Sequence, residues 1–137
     1  MLADFTITVH EARKPLAVQV KVYENVHTLR RAATRYTNQL YANKKNRPDF
    51  SDTLGLCHRF HRSNTPLCAI VRVAPPDIGV GVISHELAHA AVWLWEIENE
   101  FKEVPLHAGN DEWFCWVLGE LVRQTTLKLY QHKVWID

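Results

Sequence analysis

The sequence His85-Glu86-Leu87-Ala88-His89, in the middle of an apolar stretch, constrains the fold of this chain more than any other feature. Two histidines four positions apart lie on one face of an α-helix, about one turn from each other, so both imidazoles can bind one metal ion. Between Val82 and Ala91 the only acidic or basic side chain, with histidine counted as neutral, is that of Glu86. The pattern therefore predicts a core helix that carries a metal centre.

The alternative is a core helix whose histidines form hydrogen bonds with neighbouring groups and bind no metal. Two histidines and a glutamate on a largely buried helix would then need several partners, because unsatisfied polar groups are costly in a protein interior. A metal ion satisfies both imidazoles at once. We therefore interpret residues 85–89 as a metal site in which Glu86 holds or deprotonates a bound water molecule.

Length and charge limit the class of protein. The chain has 137 residues, enough for one domain with a hydrophobic core and too few for two ordinary domains. Its net charge of +1 offers no electrostatic argument for nucleic acid as a partner. No apolar run approaches the roughly 20 residues of a membrane-spanning helix. We expect a single domain over residues 1–137 whose partner is a protein or peptide, not nucleic acid or a membrane.

The cysteines and the N-terminus favour a cytoplasmic location. Cys57, Cys68 and Cys115 are an odd number of widely spaced cysteines, which is typical of reduced thiols and not of a disulfide framework. The first residues lack the basic start and apolar core of a signal peptide. We therefore expect a cytoplasmic protein.

Alternating apolar residues predict a β-hairpin at the beginning of the chain. Residues 5–10 and residues 16–23 both alternate between apolar and polar side chains, and residues 11–15 form a polar turn between them. Asn25 is a predicted N-cap for a helix that ends near residues 43–49. The apolar stripe of this helix consists of Val26, Leu29, Ala33, Tyr36 and Leu40.

The second half of the chain predicts one strand and two long helices. From residue 50 to 66 the pattern is weak and allows at most a short strand, whereas residues 67–74 are a clear apolar strand. Asp77 is the predicted cap of the helix that carries the metal motif and runs to about Asn99. Asn110 is the predicted cap of the last helix, over residues 111–131. The expected fold is α+β, with a small mixed sheet packed on the motif helix and on the C-terminal helix.

A catalytic zinc ion usually takes three protein ligands, and residues 85–89 supply two of them. The third should be a His, Asp or Glu that follows the motif helix. Glu112 is the predicted ligand, because the small residues Cys115, Gly119 and Val122 on its side of the last helix would let that helix approach the motif helix closely. Asp111 and His107 are the alternatives. Acidic residues in a first helical turn also favour its positive end without any metal.

Residues 67–131, with the motif at 82–91 and the acidic pair Asp111-Glu112, resemble small gluzincin-type zincins. The resemblance is strongest to the compact metallopeptidases of phage, prophage and mobile-element origin, including the ImmA/IrrE group. It implies a zincin-like fold and one zinc ion bound by His85, His89 and Glu112. It also implies hydrolysis of peptide bonds with restricted specificity, in which Glu86 is the general base on a zinc-bound water.

Other interpretations stay open. In one interpretation, the protein is a zinc-binding interaction protein without enzymatic activity, for example a phage factor that binds a host protein. In another the zinc is structural, with its fourth position closed by Asp111 or His107. Peptide deformylase also carries this motif with a cysteine ligand, for which only Cys57 and Cys68 are available upstream. Residues 57–61 (Cys-His-Arg-Phe-His) resemble a second metal site but are interpreted as a loop. His107, Tyr130 and His132 are candidates for stabilising an oxyanion.

Overall fold

A β-hairpin begins the fold, as the alternating pattern predicts. The computed structural model describes residues 1–40, 48–50 and 52–136. Strands β1 (Ala3–Val9) and β2 (Leu16–Val22) pair antiparallel, with Phe5 opposite Val20. Most apolar side chains of both strands point to the same face of the sheet and are buried there: Ala3, Phe5, Ile7 and Val9 in β1, and Leu16, Val18, Val20 and Val22 in β2.

Two further strands complete a four-stranded sheet. β3 (Gly55–Arg59) pairs antiparallel with β4 (Leu67–Val73), and β4 pairs parallel with β2, which gives the order β1-β2-β4-β3. The strand predicted at residues 67–74 is confirmed, and β3 is the short strand that the weak pattern of residues 50–66 allowed. Because β4 has a partner on each side, β1 and β3 are the edges of the sheet that the described residues form.

Helix α1 (Val26–Leu40) lies against one face of the sheet. Asn25 caps it as predicted, since its Oδ1 accepts a hydrogen bond of 2.9 Å from the backbone N–H of Thr28. Leu29 is fully buried beside Tyr23, which follows β2. The predicted end of this helix, near residues 43–49, falls largely outside the described part of the chain.

Two long helices, α2 (Val80–Glu98) and α3 (Glu112–Gln131), cover the opposite face. They run antiparallel, since the ring of Trp95 near the end of α2 lies 6.2 Å from that of Trp113 at the beginning of α3. Their buried residues are Ile83, Glu86, Leu87, Ala90, Ala91 and Leu94 in α2 and Val117, Leu121, Thr125 and Leu129 in α3. The expected α+β class is confirmed. None of the helices in the described residues has the length and apolar character needed to cross a membrane.

Both predicted caps of the long helices were wrong. Helix α2 has Gly79 as its N-cap and not Asp77, and α3 has Asp111 and not Asn110; neither cap residue makes a side-chain capping bond. Asn110 instead closes the turn before α3. Its Oδ1 accepts a hydrogen bond of 2.9 Å from the backbone N–H of His107, and its Nδ2 donates one of 3.1 Å to the carbonyl of Pro105.

Candidate metal centre

The burial pattern of α2 presents both motif histidines to solvent. Ile83 and Leu87 fix the buried side of the helix, so His85 and His89 lie on its outer side and are exposed. Their Nε2 atoms are 3.2 Å apart, and their ring planes are nearly perpendicular at 81°. The two imidazoles therefore converge on one point above the helix.

This separation fits a single metal ion. A tetrahedral zinc ion with Zn–N bonds of about 2.0–2.1 Å holds two ligand nitrogens about 3.3–3.4 Å apart. The measured 3.2 Å between the Nε2 atoms of His85 and His89 is close to that value. Imidazole nitrogen is also a ligand that zinc commonly takes in proteins. The pair is thus arranged to chelate an ion with little movement.

Glu86 adds a buried carboxylate to the two imidazoles. One ligand atom from each of the three residues lies within 4.8 Å of the others, and Glu86 is only 5% exposed. Burial raises the pKa of Glu86, while the nearby His85 lowers it by a smaller amount. A carboxylate whose pKa is raised toward neutrality is suited to accept and return a proton.

Gly55 in β3 makes room for this carboxylate. A Cβ atom at position 55 would lie 3.0 Å from Cγ1 of Val82 and 3.2 Å from Cγ of Glu86. Only a residue without a side chain lets the edge strand pass this close to α2. The contact holds Glu86 between the helix and the sheet.

Arg59 is the functional candidate that sequence analysis did not place at this site. Side chains alternate along a strand, so Gly55, Cys57 and Arg59 all face α2. An Nη2 atom of Arg59 lies 3.2 Å from Nδ1 of His89. The pKa of His89 is lowered, chiefly by burial and then by the charges of His85 and Arg59. The assignment of a strand to residues 55–59 would have placed Arg59 on the same face as Gly55 and Cys57, but its position beside His89 depends on tertiary packing.

Glu112 is not a member of this group. It is the exposed first residue of α3, and the structure gathers only His85, Glu86 and His89 within the described residues. The alternatives Asp111 and His107 are not members either. The assignment of Glu112 as the third ligand stays a prediction.

The packing of α3 differs from the packing on which the choice of Glu112 was based. Cys115 and Gly119 are exposed, and a Cβ atom at Gly119 would meet no atom within 4 Å. The expectation that these small residues face α2 was therefore wrong. The larger residues Phe114 and Leu118 pack against the core instead.

The beginning of α3 lies beside the C-terminal part of α2. The indole Nε1 of Trp113 donates a hydrogen bond of 2.6 Å to the carbonyl of Glu11, and its ring is near Trp95. Trp95 follows His89 by six residues, which is about 9 Å along the helix and about a third of a turn around it. This packing explains why Glu112 is not grouped with the histidines.

Residues 57–61 do not form a second metal site. Cys57 faces α2, whereas the next residue, His58, points to the opposite face and packs on Tyr36, with ring centroids 4.3 Å apart. Burial raises the pKa of Cys57 to about 12 and lowers that of His58 to about 4. His61 lies against Phe101 instead. The interpretation as a second metal site is not supported, although a strand and not only a loop occupies this segment.

The remaining candidates lie away from the histidine pair. Cys68 is buried in β4, with its pKa raised to about 12, and contacts the carbonyl of Ala17. His132 stacks on Phe5 in β1, which is at the other edge of the sheet from β3. Tyr130 packs against Trp135. No side chain proposed for oxyanion stabilisation belongs to the metal group that the described residues form.

Comparisons with protein-family models, with curated proteins and with solved structures found no match to this chain. The class of this protein is thus described by its fold and site alone: it is an α+β protein in which His85, Glu86 and His89 form a group that could hold a metal ion.

Proposed function

We propose that this protein is a zinc-dependent metallopeptidase of restricted specificity on a zincin-like frame. One observation carries the proposal. Two exposed imidazole nitrogens lie 3.2 Å apart on α2, and a buried carboxylate lies within 4.8 Å of them. A structural metal needs no such carboxylate, whereas hydrolysis of a peptide needs a base at this position.

The edge of the sheet supplies a place for a peptide substrate. β4 has a strand on each side, so no peptide can pair with it. β3 is the free edge beside α2, and its Gly55 and Arg59 are next to the metal group. An extended peptide can add to such an edge through main-chain hydrogen bonds. Its scissile bond would then lie over α2.

The chain's own residues divide the chemistry between them. A zinc ion bound by His85 and His89 would act as a Lewis acid toward the peptide carbonyl. Glu86 accepts a proton from the attacking water and returns it to the leaving amine. Its burial supports the first step, because a raised pKa makes the carboxylate a better base. Glu112 is the proposed third ligand.

A second function is favoured by the outer surface of α3. Trp116, Leu127 and Tyr130 are 42%, 48% and 43% exposed and recur on one side of this helix. Exposed aromatic residues are common at protein interfaces. The alternative is therefore a zinc-binding interaction protein without peptidase activity.

Cleavage of a peptide mixture separates the two functions. The zinc-loaded protein and its Glu86→Gln variant are incubated with a random peptide library, and new termini are identified by mass spectrometry. We expect reproducible cuts by the wild type, and a loss of at least about a hundredfold in the variant, since it lacks the base. Binding of zinc without any cut in the wild type would contradict the peptidase and favour the interaction protein.

A further inference from the structure

The contact between Arg59 and His89 has a defined direction. A guanidinium group has only N–H donors, so Nδ1 of His89 is the acceptor in the 3.2 Å contact with Arg59. In neutral His89 the proton is then on Nε2. That Nε2 lies 3.2 Å from Nε2 of His85, which accepts its hydrogen bond. Arg59, His89 and His85 thus form one directed chain of hydrogen bonds.

This series of hydrogen bonds cannot form while a metal ion is bound to the Nε2 atoms of both histidines. A histidine that binds a metal through Nε2 needs its proton on Nδ1, where it normally donates to a carboxylate or a carbonyl. Arg59 cannot accept that hydrogen bond. Its positive charge is also repelled by a divalent cation at His89. Arg59 therefore leaves His89 when the metal binds.

A freed Arg59 stays beside the reaction centre, because it is anchored in β3 and is exposed. No carboxylate of the described residues pairs with it. Further basic residues follow it closely in the chain. Arg62 has no acidic partner among the described side chains, and Lys14, His61 and Arg62 line a cavity of about 690 Å³ at the end of α2. Glu98 and Glu100 also line it, but both pair with Arg13.

We propose that Arg59 alternates between His89 and a carboxylate of the peptide substrate, so that the protein selects acidic peptides. This inference rests on the proposed function and adds its substrate class. A guanidinium fork binds a carboxylate with two parallel hydrogen bonds, which favours this ligand over a neutral side chain. The carboxylate is that of an Asp or Glu side chain or of the peptide C-terminus.

Zinc affinity tests whether Arg59 competes with the metal for His89. Zinc is titrated against a fluorescent chelator in the wild type, in Arg59→Gln and in Arg62→Gln. Arg59→Gln should bind zinc about fivefold or more tightly, because a competing hydrogen bond is lost and the amide oxygen can accept from Nδ1 of His89. Arg62→Gln removes the same charge nearby without touching His89 and should bind zinc as the wild type does.

Peptide binding tests whether Arg59 binds a carboxylate of the substrate. The zinc-loaded Glu86→Gln protein, with and without Arg59→Gln, is mixed with fluorescent alanine-rich decapeptides that carry one central Glu or Gln and an amidated C-terminus. We expect about tenfold tighter binding of the Glu peptide, and no such preference in the double variant. If a Gln peptide with a free C-terminus binds about tenfold more tightly than the amidated Gln peptide, the carboxylate that Arg59 binds is the peptide C-terminus.

The outcomes are distinguishable. Equal zinc affinity in the wild type and Arg59→Gln, or a preference for acidic peptides that survives in the double variant, overturns the role of Arg59. Equal binding of all three peptides, or binding of none, overturns it as well. Loss of zinc binding in every protein overturns the metallopeptidase itself.

Discussion

The two faces of the sheet each hold an arginine beside a histidine, but in opposite surroundings. On the α2 face, Arg59 and His89 are both exposed and are next to a group that could hold a metal. On the α1 face, Arg72 is 4% exposed and His58 is 9% exposed, so solvent and ligands hardly reach them. Residue type alone therefore does not define a site; exposure and neighbours do.

The buried pair belongs to the core between β4 and α1. Arg72 donates a hydrogen bond to the hydroxyl of Tyr23, and its guanidinium carbon lies 5.3 Å from the ring centre of Tyr36. No carboxylate pairs with Arg72 among the described residues. Its Nε and the Nε2 of His58 have no hydrogen-bond partner there. The tyrosine rings thus take the place of a counter-ion for the buried charge.

Truncation of the two arginines should show the largest difference between the faces. Arg72→Ala should lower the free energy of unfolding by about 2–4 kcal/mol, because it empties a filled space between α1 and the sheet. Arg59→Ala should change it by no more than about 0.5 kcal/mol, because the side chain is exposed. Urea unfolding followed by circular dichroism measures both. Equal effects of the two substitutions would contradict the contrast.

The buried His58 should make the stability of the protein depend on pH. Burial and the charge of Arg72 lower the pKa of His58 from 6.5 to about 4 in the folded protein. Between these values the unfolded chain binds a proton that the folded chain does not. Stability is therefore lost as the pH falls from about 6.5 to about 4, by about 3 kcal/mol in all. Urea unfolding of the wild type and of His58→Leu at several pH values measures this loss, which should be absent from the variant. The same pH dependence in both proteins would show that His58 is not responsible.

Substitution of two glycines should change the stability of the protein by smaller amounts and in opposite directions. Gly55→Ala should destabilise the protein by about 1–2 kcal/mol, because its Cβ atom would lie 3.0 Å from Val82 and 3.2 Å from Glu86. Gly119→Ala is the matched control on an exposed side of α3, where a Cβ atom meets nothing within 4 Å. It should stabilise the protein by about 0.5–1 kcal/mol, since alanine favours a helix. Thermal unfolding measures both, and stabilisation by Gly55→Ala would mean that β3 is not packed closely on Glu86.

Much of the secondary structure was predictable from periodicity. The alternating residues of β1 and β2 each identify one buried face, and the structure confirms both strands. The predicted apolar stripe of α1 is confirmed as buried at Leu29 and Ala33, whereas Leu40 is 58% exposed and Thr37 is buried instead. The strand order was not predictable, because alternation shows which side of a strand is buried but not which strand lies beside it. The neighbours of β4 therefore came only from the structure.

The site was predictable where it is local in sequence. His85, Glu86 and His89 lie within two helical turns, so their proximity follows from helix geometry alone. Arg59 and Gly55 reach the site through tertiary packing, and the weak pattern of their strand hid them.

The packing of α3 was the part of the site that sequence reasoning misjudged. The choice of Glu112 assumed that the small residues Cys115 and Gly119 face α2, but both are exposed. The larger residues Phe114 and Leu118 instead pack half-buried against the core, because they remove more apolar area from water.

The most direct test of the metal centre is the zinc content of the purified protein by elemental analysis, beside His89→Ala and Glu112→Ala. We expect one zinc ion per chain in the wild type and almost none in His89→Ala. Loss of zinc in Glu112→Ala as well would establish the third ligand, and retention would exclude it. A wild type that takes up no zinc when zinc is supplied, or a His89→Ala variant that keeps its full content, would contradict the account.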